Sequence, residues 1–271
     1  MPDLWMPGAT RLDIGDHAPT DGGPAKAIAH ITWDENATAA KPADLVPYEN
    51  LVAYFGRNDS GKAVAPHLLW DPFTGRVTQF VPADSRSKSV ADTAGGTRTN
   101  RAGSVVIQVE TLFFPYCRTG GKVYPRLVDT PCKGWAELNA WVRSWGVPDT
   151  WPMGKPVDFS SNRSESVWES RAGWYAHAQV PENDHQDPGS WPAFIEEDDM
   201  ALSQDDINKI VSAVWNRQES AGAGSEPSRT GAVLGWMDTV HNKQTDAIAA
   251  LAAQVTALTV KVDALSARLP K

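Results

Sequence analysis

The chain has 271 residues, of which 41% are hydrophobic, and its formal net charge is −8 at pH 7. This length and apolar content predict one substantial domain with its own core and a smaller appendage. The charge argues against nucleic acid as the main partner, because the Lys and Arg residues are scattered and form no basic stripe that could neutralise phosphates. No apolar run approaches the length needed to span a bilayer, so no membrane partner is expected.

The N-terminal segment, residues 1–8, has no basic region followed by an apolar stretch, and no secretory signal is therefore expected. Residues 1–25 as a whole are rich in proline and glycine, which predicts an extended lead-in that wraps the following domain. Cys117 and Cys132 flank an insertion at 118–131. They are compatible with a disulfide across that insertion and equally with two free thiols.

The first regular elements follow the lead-in. Residues 26–33 are β-branched or apolar and predict a strand that contains His30. Residues 47–55 have apolar positions three and four apart, which predicts a short amphipathic helix ended by Gly56. A strand, a tight turn and a second strand over 65–81 predict a β-hairpin.

Three further segments complete the predicted first domain. Residues 85–101 are polar with paired glycines and predict a mobile loop on the rim of a cleft. The strand predicted over 104–114 is apolar enough for both of its faces to be covered, and Glu110 is its carboxylate. A helix over 134–145 carries tryptophans at helical spacing, which favours core packing over sugar stacking as their role.

The composition changes after this domain. An acidic run at 196–199 is typical of a solvated boundary and marks its expected end. A capping box and an apolar stripe predict a helix over 200–218, and the glycine content of 219–231 predicts a flexible linker.

The last segment, residues 232–271, predicts a coiled coil of about five heptads. Its apolar residues alternate in steps of three and four, with β-branched residues at heptad position a and leucine at position d. This choice favours a parallel dimer, so the chain is expected to form a homo-oligomer. An amphipathic helix folded back on its own domain would show a similar stripe and remains the alternative.

The densest group of metal-ligand types lies in residues 174–189. His177, His185 and Asp187 fall within eleven positions of a loop constrained by prolines and glycine. Catalytic zinc usually takes three imidazole or carboxylate ligands and leaves a fourth position open. A further histidine should therefore come from a distant strand, and His30 is the natural donor, although a lone strand histidine is more often a core residue.

Taken in this order, the motifs resemble the zinc-dependent N-acetylmuramoyl-L-alanine amidases that share the peptidoglycan-recognition-protein fold, in the form common among phage endolysins. The resemblance covers roughly residues 26–194 and implies an α/β fold with a central mixed β-sheet flanked by helices, here followed by a C-terminal helical coiled-coil segment. The motifs are Ala29-His30-Ile31-Thr32, the hairpin 66–79, Asn100 followed by the strand 106–110, and His177, Pro181 and Asp187-Pro188-Gly189.

The resemblance implies that Zn²⁺ is held by His30, His177 and Asp187 within a zinc amidase catalytic domain over 26–199. It further implies that Glu110 acts on the metal-bound water and that His185 stabilises the oxyanion. The general chemistry of metal-assisted amide hydrolysis agrees with these roles, and burial on an apolar strand would raise the pKa of a glutamate as a proton carrier requires. The alternative in which His185 replaces Asp187 as a ligand stays open.

The implied function is that of a peptidoglycan hydrolase, an endolysin that cleaves the amide bond between N-acetylmuramic acid and the L-alanine of the stem peptide. Such an enzyme would be made in the host cytoplasm without a signal peptide and would act on the bacterial cell wall. One departure from the family is the lack of a histidine in residues 85–96, which leaves a substrate contact unassigned. The alternatives are a non-catalytic peptidoglycan-binding module and a virion-associated wall hydrolase docked through its C-terminal helix.

Overall fold

The computed structural model describes residues 2–33, 37–194, 218–220, 227–229 and 255. The chain divides into two units, Met1–Ile195 and Glu196–Lys271. Within the described residues no helix is long and apolar enough to cross a membrane.

The first unit alternates strands and helices, with single turns of 3₁₀ helix at Leu127–Asp129 and His177–Gln179. Its other elements, in chain order, are β1 (Thr10–Arg11), β2 (Lys26–Ile31), β3 (Ala43–Asp44), α1 (Tyr48–Arg57), α2 (Asp59–Lys62), β4 (Leu68–Trp70), β5 (Val77–Gln79), β6 (Val106–Thr111), β7 (Cys117–Thr119), β8 (Lys122–Tyr124), α3 (Trp135–Ser144), α4 (Glu165–Ser170) and β9 (Gly173–Ala176).

The central sheet has the strand order β1-β5-β4-β6-β2-β9. Only the predicted hairpin, β4 with β5, pairs antiparallel in this sheet, and the other neighbouring strands run parallel. This topology confirms the predicted α/β fold with a central mixed β-sheet flanked by helices. A second, three-stranded sheet with the order β3-β7-β8 was not predicted from the sequence.

The second unit contains two described strands, β10 (Gln218–Ser220) and β11 (Pro227–Arg229), which pair antiparallel. The linker was predicted over residues 219–231. β10 begins one residue before that range, and β11 lies inside it. Of the helix predicted over 200–218, only Gln218 is described, and it lies in β10. The coiled coil predicted over 232–271 lies outside the described residues, apart from the helical Val255. These elements therefore remain predictions.

The two faces of the sheet differ in what they bury. Ala27 and Ala29 of β2 belong to the larger core, whereas Ile28 belongs to a smaller cluster with Trp168 and Tyr175. Because successive residues of a strand point to opposite faces, His30 shares the face of Ile28. The smaller core thus leaves room at one end of the sheet for a polar site.

The larger core is built around tryptophan rings. The centroid of Trp135, on α3, lies 5.8, 5.3 and 5.7 Å from the ring centroids of Trp70, Trp174 and Trp191. All four side chains are at most 3% exposed. Aromatic pairs at these distances stabilise a core beyond the effect of the area that they bury. The core role predicted for the tryptophans of this helix is thus confirmed for Trp135.

Three local expectations differ from the structure or are resolved by it. Helix α1 does not end at Gly56 but continues to Arg57. Gly56 lies against the side chain of Leu12, which would clash with a Cβ at this position. Cys117 and Cys132 are both free thiols. The loop 85–101 is not simply a polar rim, since it buries several of its side chains, namely Ser85, Ser87, Thr99 and Asn100.

A fully buried histidine connects the hairpin to β6 and to the loop 85–101. Nδ1 of His67 accepts a hydrogen bond from the backbone N–H of Gln108 at 3.0 Å, and its Nε2 donates to the backbone carbonyl of Ser85 at 2.8 Å. Burial lowers the pKa of His67 to about 4, against the opposing hydrogen bond to Ser85. The neutral ring is thus favoured in the folded protein.

We expect His67 to make the stability of the protein sensitive to mild acid. Its folded pKa lies below the unfolded value of 6.5, so its contribution is complete above pH 6.5 and is lost as the pH falls towards 4. Urea unfolding with a chelator present would give the free energy of unfolding of the wild type and of His67→Phe at each pH. The wild-type value minus the His67→Phe value should fall by about 2 kcal/mol between pH 7 and pH 5. Leu69→Ala, a buried control without a titrating group, should show a constant difference from wild type. A constant difference for His67→Phe as well would refute the assignment.

Candidate metal centre

The candidate ligands meet where parallel strands end. His30 on β2 is paired in register with Glu110 on β6, and Ala29 is paired with Ala176, the last residue of β9. The residue that follows β9 is His177, which therefore emerges beside His30. Parallel pairing brings the carboxyl ends of neighbouring strands to one edge of the sheet, so three side chains distant in sequence reach one site.

The fourth side chain, Asp187, comes from the loop that follows. Its Oδ2 accepts a hydrogen bond from the backbone N–H of Ile31 at 3.0 Å, which ties the carboxylate to the end of β2. Its backbone carbonyl accepts a hydrogen bond from the N–H of Ala178, also at 3.0 Å. The loop is thus closed at its base, and Asp187 is held at the strand ends even though it lies in no regular element.

His30, His177 and Asp187 converge as the sequence predicts. Nδ1 of His30 lies 3.0 Å from Nδ1 of His177, which lies 3.1 Å from Oδ1 of Asp187. One ligand atom from each residue lies within 4.8 Å of the others, and all three residues are buried. His185 is not a member of this group, so the described geometry favours Asp187 over His185 as the third donor.

The donor set fits a zinc ion. Ligand atoms 2.0–2.1 Å from a tetrahedral zinc lie about 3.3 Å from one another, close to the 3.0 Å between the two Nδ1 atoms and the 3.1 Å between His177 and Asp187. The remaining pair is wider, with Nδ1 of His30 4.0 Å from Oδ2 of Asp187. At most one proton can lie between the two facing Nδ1 atoms, so at least one of them presents a lone pair to the centre. Two imidazoles and one carboxylate also form a ligand set typical of catalytic zinc, which keeps a fourth position open.

The titration of His30 and Asp187 favours metal binding. Burial lowers the pKa of His30 well below its ordinary value, and the nearby His177 adds to this effect against the opposing charge of Asp187. Burial alone would raise the pKa of Asp187, but hydrogen bonding to His177, the charges of both histidines and the N–H of Ile31 together lower it. A neutral imidazole and an ionised carboxylate are the forms that bind a metal.

Glu110 lies next to this cluster but makes none of its contacts. It is 9% exposed and lines the same cleft as the donors. Burial, and then the negative charge of Asp187, raise its pKa well above the value of an exposed glutamate. This is the direction expected from its place on an apolar strand, and it suits a group that carries a proton near neutral pH.

His185 covers the outer side of the cluster. Its ring stacks on that of His177, with centroids 4.2 Å apart and planes inclined by 16°. Its side chain is 62% exposed, and its Nδ1 lies 3.8 Å from Oδ1 of Asp187. Burial and the adjacent His177 lower its pKa, so the neutral ring with one N–H is favoured. His185 is therefore a hydrogen-bonding group at the entrance and lies outside the donor cluster.

The cluster opens into a cleft of about 880 Å³ with two chemically different walls. The polar wall comes from the loop that carries the donors and includes Asp184 and Gln186. The other part of the lining, the apolar wall, includes Trp33, Tyr54 and Val64, which are 37, 41 and 44% exposed. An exposed apolar surface beside convergent polar groups is typical of a ligand-binding cleft.

Sequence reasoning did not assign a site role to the residues of the apolar wall. Tyr54 belongs to α1, where a pattern of apolar residues indicates a buried stripe and does not reveal which members stay open to solvent. Trp33 follows β2, and its ring packs edge-on against Phe159 at a centroid distance of 4.5 Å. One indication in the sequence that Trp33 lies at the site is its position, three residues beyond the predicted ligand His30.

We expect one zinc ion per chain, bound through this cluster. Zinc at a hundred times its Kd should raise the free energy of unfolding by about 2.7 kcal/mol and the Tm of a domain of this size by about 5–10 °C. His177→Ala should abolish both the bound zinc, measured by elemental analysis, and the Tm shift. His17→Ala, which removes an exposed histidine, is the matched control.

His185→Ala tests the alternative ligand set in the same assay. If Asp187 completes the site, this variant keeps its zinc, whereas loss of the metal would show that His185 is a ligand. An unchanged zinc content in His177→Ala would contradict the assignment as a whole.

Comparison with known proteins gives a weak overall similarity to two solved structures. One is the Staphylococcus aureus hydrolase AmiA in complex with its ligand, at 15% identity and a TM-score of 0.39 over 68% of this chain and 74% of that chain. The other is a selenomethionine derivative of AmpD, at 15% identity and a TM-score of 0.39 over 74% of this chain and 97% of that chain. No protein-family model and no curated protein matches the sequence.

Proposed function

We propose that the protein is a zinc-dependent peptidoglycan hydrolase that cleaves the amide bond between N-acetylmuramic acid and L-alanine. The observation that carries this proposal is the convergence of His30, His177 and Asp187 beside the buried Glu110, at the base of an open cleft. The order of the sequence motifs, which resembles zinc amidases, supports the choice of substrate. By the same resemblance we propose a role as an endolysin, made in the host cytoplasm and acting on the bacterial cell wall.

The three donors would hold the metal, and the other groups of the site would handle protons. Zinc supplies Lewis-acid chemistry, since it lowers the pKa of water and polarises a carbonyl. Glu110 takes a proton from the attacking water and gives it to the leaving amine of the L-alanine. Its raised pKa lets it hold that proton between the two events, and its burial excludes bulk water that would compete for it.

We propose that His185 acts on the carbonyl oxygen of the scissile amide. Its ring lies over His177 and reaches the open side of the cleft. A ring N–H of the neutral imidazole can donate a hydrogen bond to the developing oxyanion, which needs no protonated histidine. The apolar wall with Trp33 and Tyr54 would offer contact surface for the bulk of the muramyl peptide.

We expect Glu110→Gln to separate zinc binding from catalysis. The amide keeps the size of the side chain but cannot take up a proton, so kcat should fall by about a hundredfold or more. Zinc content and Tm should stay those of the wild type. The measurement is the release of muramyl peptides and of new N-terminal alanine from purified cell walls.

Three outcomes would count against this proposal. Cleavage by Glu110→Gln at the wild-type rate would exclude Glu110 as the proton carrier. Wild-type protein that releases reducing sugar ends without new N-terminal alanine would be a glycosidase. Wild-type protein that binds walls without zinc or cleavage would be a recognition module.

We also propose that residues 232–271 form a parallel dimer. The support is the heptad pattern of the sequence, in which Leu258 and Leu265 occupy position d. Pairing two catalytic domains would raise the avidity of the protein for a polymeric wall without any new contact to it. A partner of another kind, such as a virion protein, would use the same apolar stripe and would leave the chain monomeric on its own.

The dimer is tested by the mass of the full chain in solution, measured by light scattering. Leu258→Asp places a charge in the apolar seam and should convert a dimer into a monomer. Thr256→Asp adds the same charge at an outward heptad position and should leave the mass unchanged. A monomeric wild-type chain would exclude self-association and favour docking to a partner.

A further inference from the structure

The loop between the last two candidate ligands needs support from outside itself. His177 and Asp187 are ten positions apart, and the intervening chain forms only the 3₁₀ turn His177–Gln179 before it becomes irregular. A hydrogen bond from Ala178 to Asp187 closes the base of the loop. The tip, residues 180–186, carries His185 and has no strand partner among the described residues.

Arg163 reaches this tip from the segment before α4. Its Nε donates a hydrogen bond to the carbonyl of Val180 at 3.0 Å, and its Nη2 donates to the carbonyl of His185 at 2.6 Å. The same Nη2 lies 3.4 Å from Oδ1 of Asn183. One planar group therefore joins two carbonyls that are five positions apart along the loop.

Asn183 completes the connection from inside the loop. Its Oδ1 accepts a hydrogen bond from the backbone N–H of His185 at 2.9 Å. Its Nδ2 donates to the carbonyl of Val180 at 2.5 Å and contacts that of His177 at 3.3 Å. The backbone of His185 is thus bound from both sides, by Asn183 through its N–H and by Arg163 through its carbonyl.

We infer that Arg163 is a positioning residue that holds the loop between His177 and Asp187 and thereby keeps the ring of His185 stacked over His177. Arg163 acts through other groups, because it is not among the described residues that line the cleft. Its role in catalysis rests on the proposed amidase function. Its role in shaping the metal site depends only on the position of the two ligands.

The shape of the guanidinium is the property that matters. Its donors lie in a fixed plane and can satisfy two carbonyls at once, whereas the ammonium of lysine is a point charge on a flexible stem. If Arg163 served only as a positive charge beside this loop, lysine would replace it. If it holds the loop by two directed hydrogen bonds, lysine fails almost as fully as alanine.

The first experiment measures zinc affinity by competition with a chromophoric chelator, using the full chain. Groups that orient metal ligands typically change affinity by 10–100-fold, so Arg163→Ala and Arg163→Lys should both weaken zinc binding by about tenfold or more. Arg126→Ala is the matched control, since it removes an exposed arginine that makes several hydrogen bonds to Asp129. Wild-type zinc affinity in Arg163→Ala, or full rescue by Arg163→Lys, would overturn the inference.

The second experiment asks whether Arg163 acts through His185. At saturating zinc, Arg163→Ala should lower kcat for wall cleavage by about tenfold with little change in KM, because loss of orientation affects the transition state. In a His185→Ala background the same substitution should lower kcat far less, which a double-mutant cycle detects as coupling. Full additivity of the two substitutions would refute the link to His185.

These two readouts separate this inference from the proposed function. A wild-type chain that cleaves no peptidoglycan would defeat the proposed function, yet the zinc measurement would still test the loop. Wild-type cleavage together with unchanged zinc affinity and kcat in Arg163→Ala would keep the function and remove the positioning role.

Discussion

The parallel register of β2 with its two neighbours is the constraint on which the site depends. It sets His30 opposite Glu110 and places His177 directly after the last residue of β9. Side chains alternate along a strand, so a slip of one residue would turn His30 into the larger core and point Ala29 at the cleft. Because both faces of β2 and β6 are buried, this register fixes both the core and the position of the polar groups. The same strand register thus determines which side chains pack in the core and which reach the candidate metal site.

The two buried carboxylates of the site are driven in opposite directions by their surroundings. Asp187 receives hydrogen bonds from Ile31 and His177, and these favour its ionised form. Glu110 has only burial and the charge of Asp187 to respond to, and both favour its neutral form. Pairs of titratable groups pushed apart in this way are typical of sites that divide ligand and acid–base roles. The ionised carboxylate suits a metal, whereas the raised pKa of Glu110 suits a group that accepts a proton in its ionised form and returns it in its neutral form.

Much of the first domain follows from local sequence patterns. The strands of β2 and β6, the hairpin of β4 and β5 and the helix α3 each show periodicity within a short window, which is why they were predictable. His177 and Asp187 were visible as metal-ligand types within one short window, but only zinc coordination chemistry and the resemblance of ordered motifs joined the distant His30 to them. The sheet of β3, β7 and β8 was missed because it is built from very short strands. Arg163 was missed because its partners are backbone carbonyls, which leave no signature in side-chain type.

The first residues of the chain contribute to the fold in a way that their composition hides. β1 pairs with β5, and beyond it Leu12 and Ile14 donate backbone hydrogen bonds to Gln79 and Phe80. β5 would otherwise be the outermost strand of the sheet, with a row of unpaired backbone groups. Such open edges recruit strands from other molecules and promote aggregation. The lead-in thus covers the outer edge of β5, and a shortened protein that begins at β2 would expose that edge to pairing with other chains.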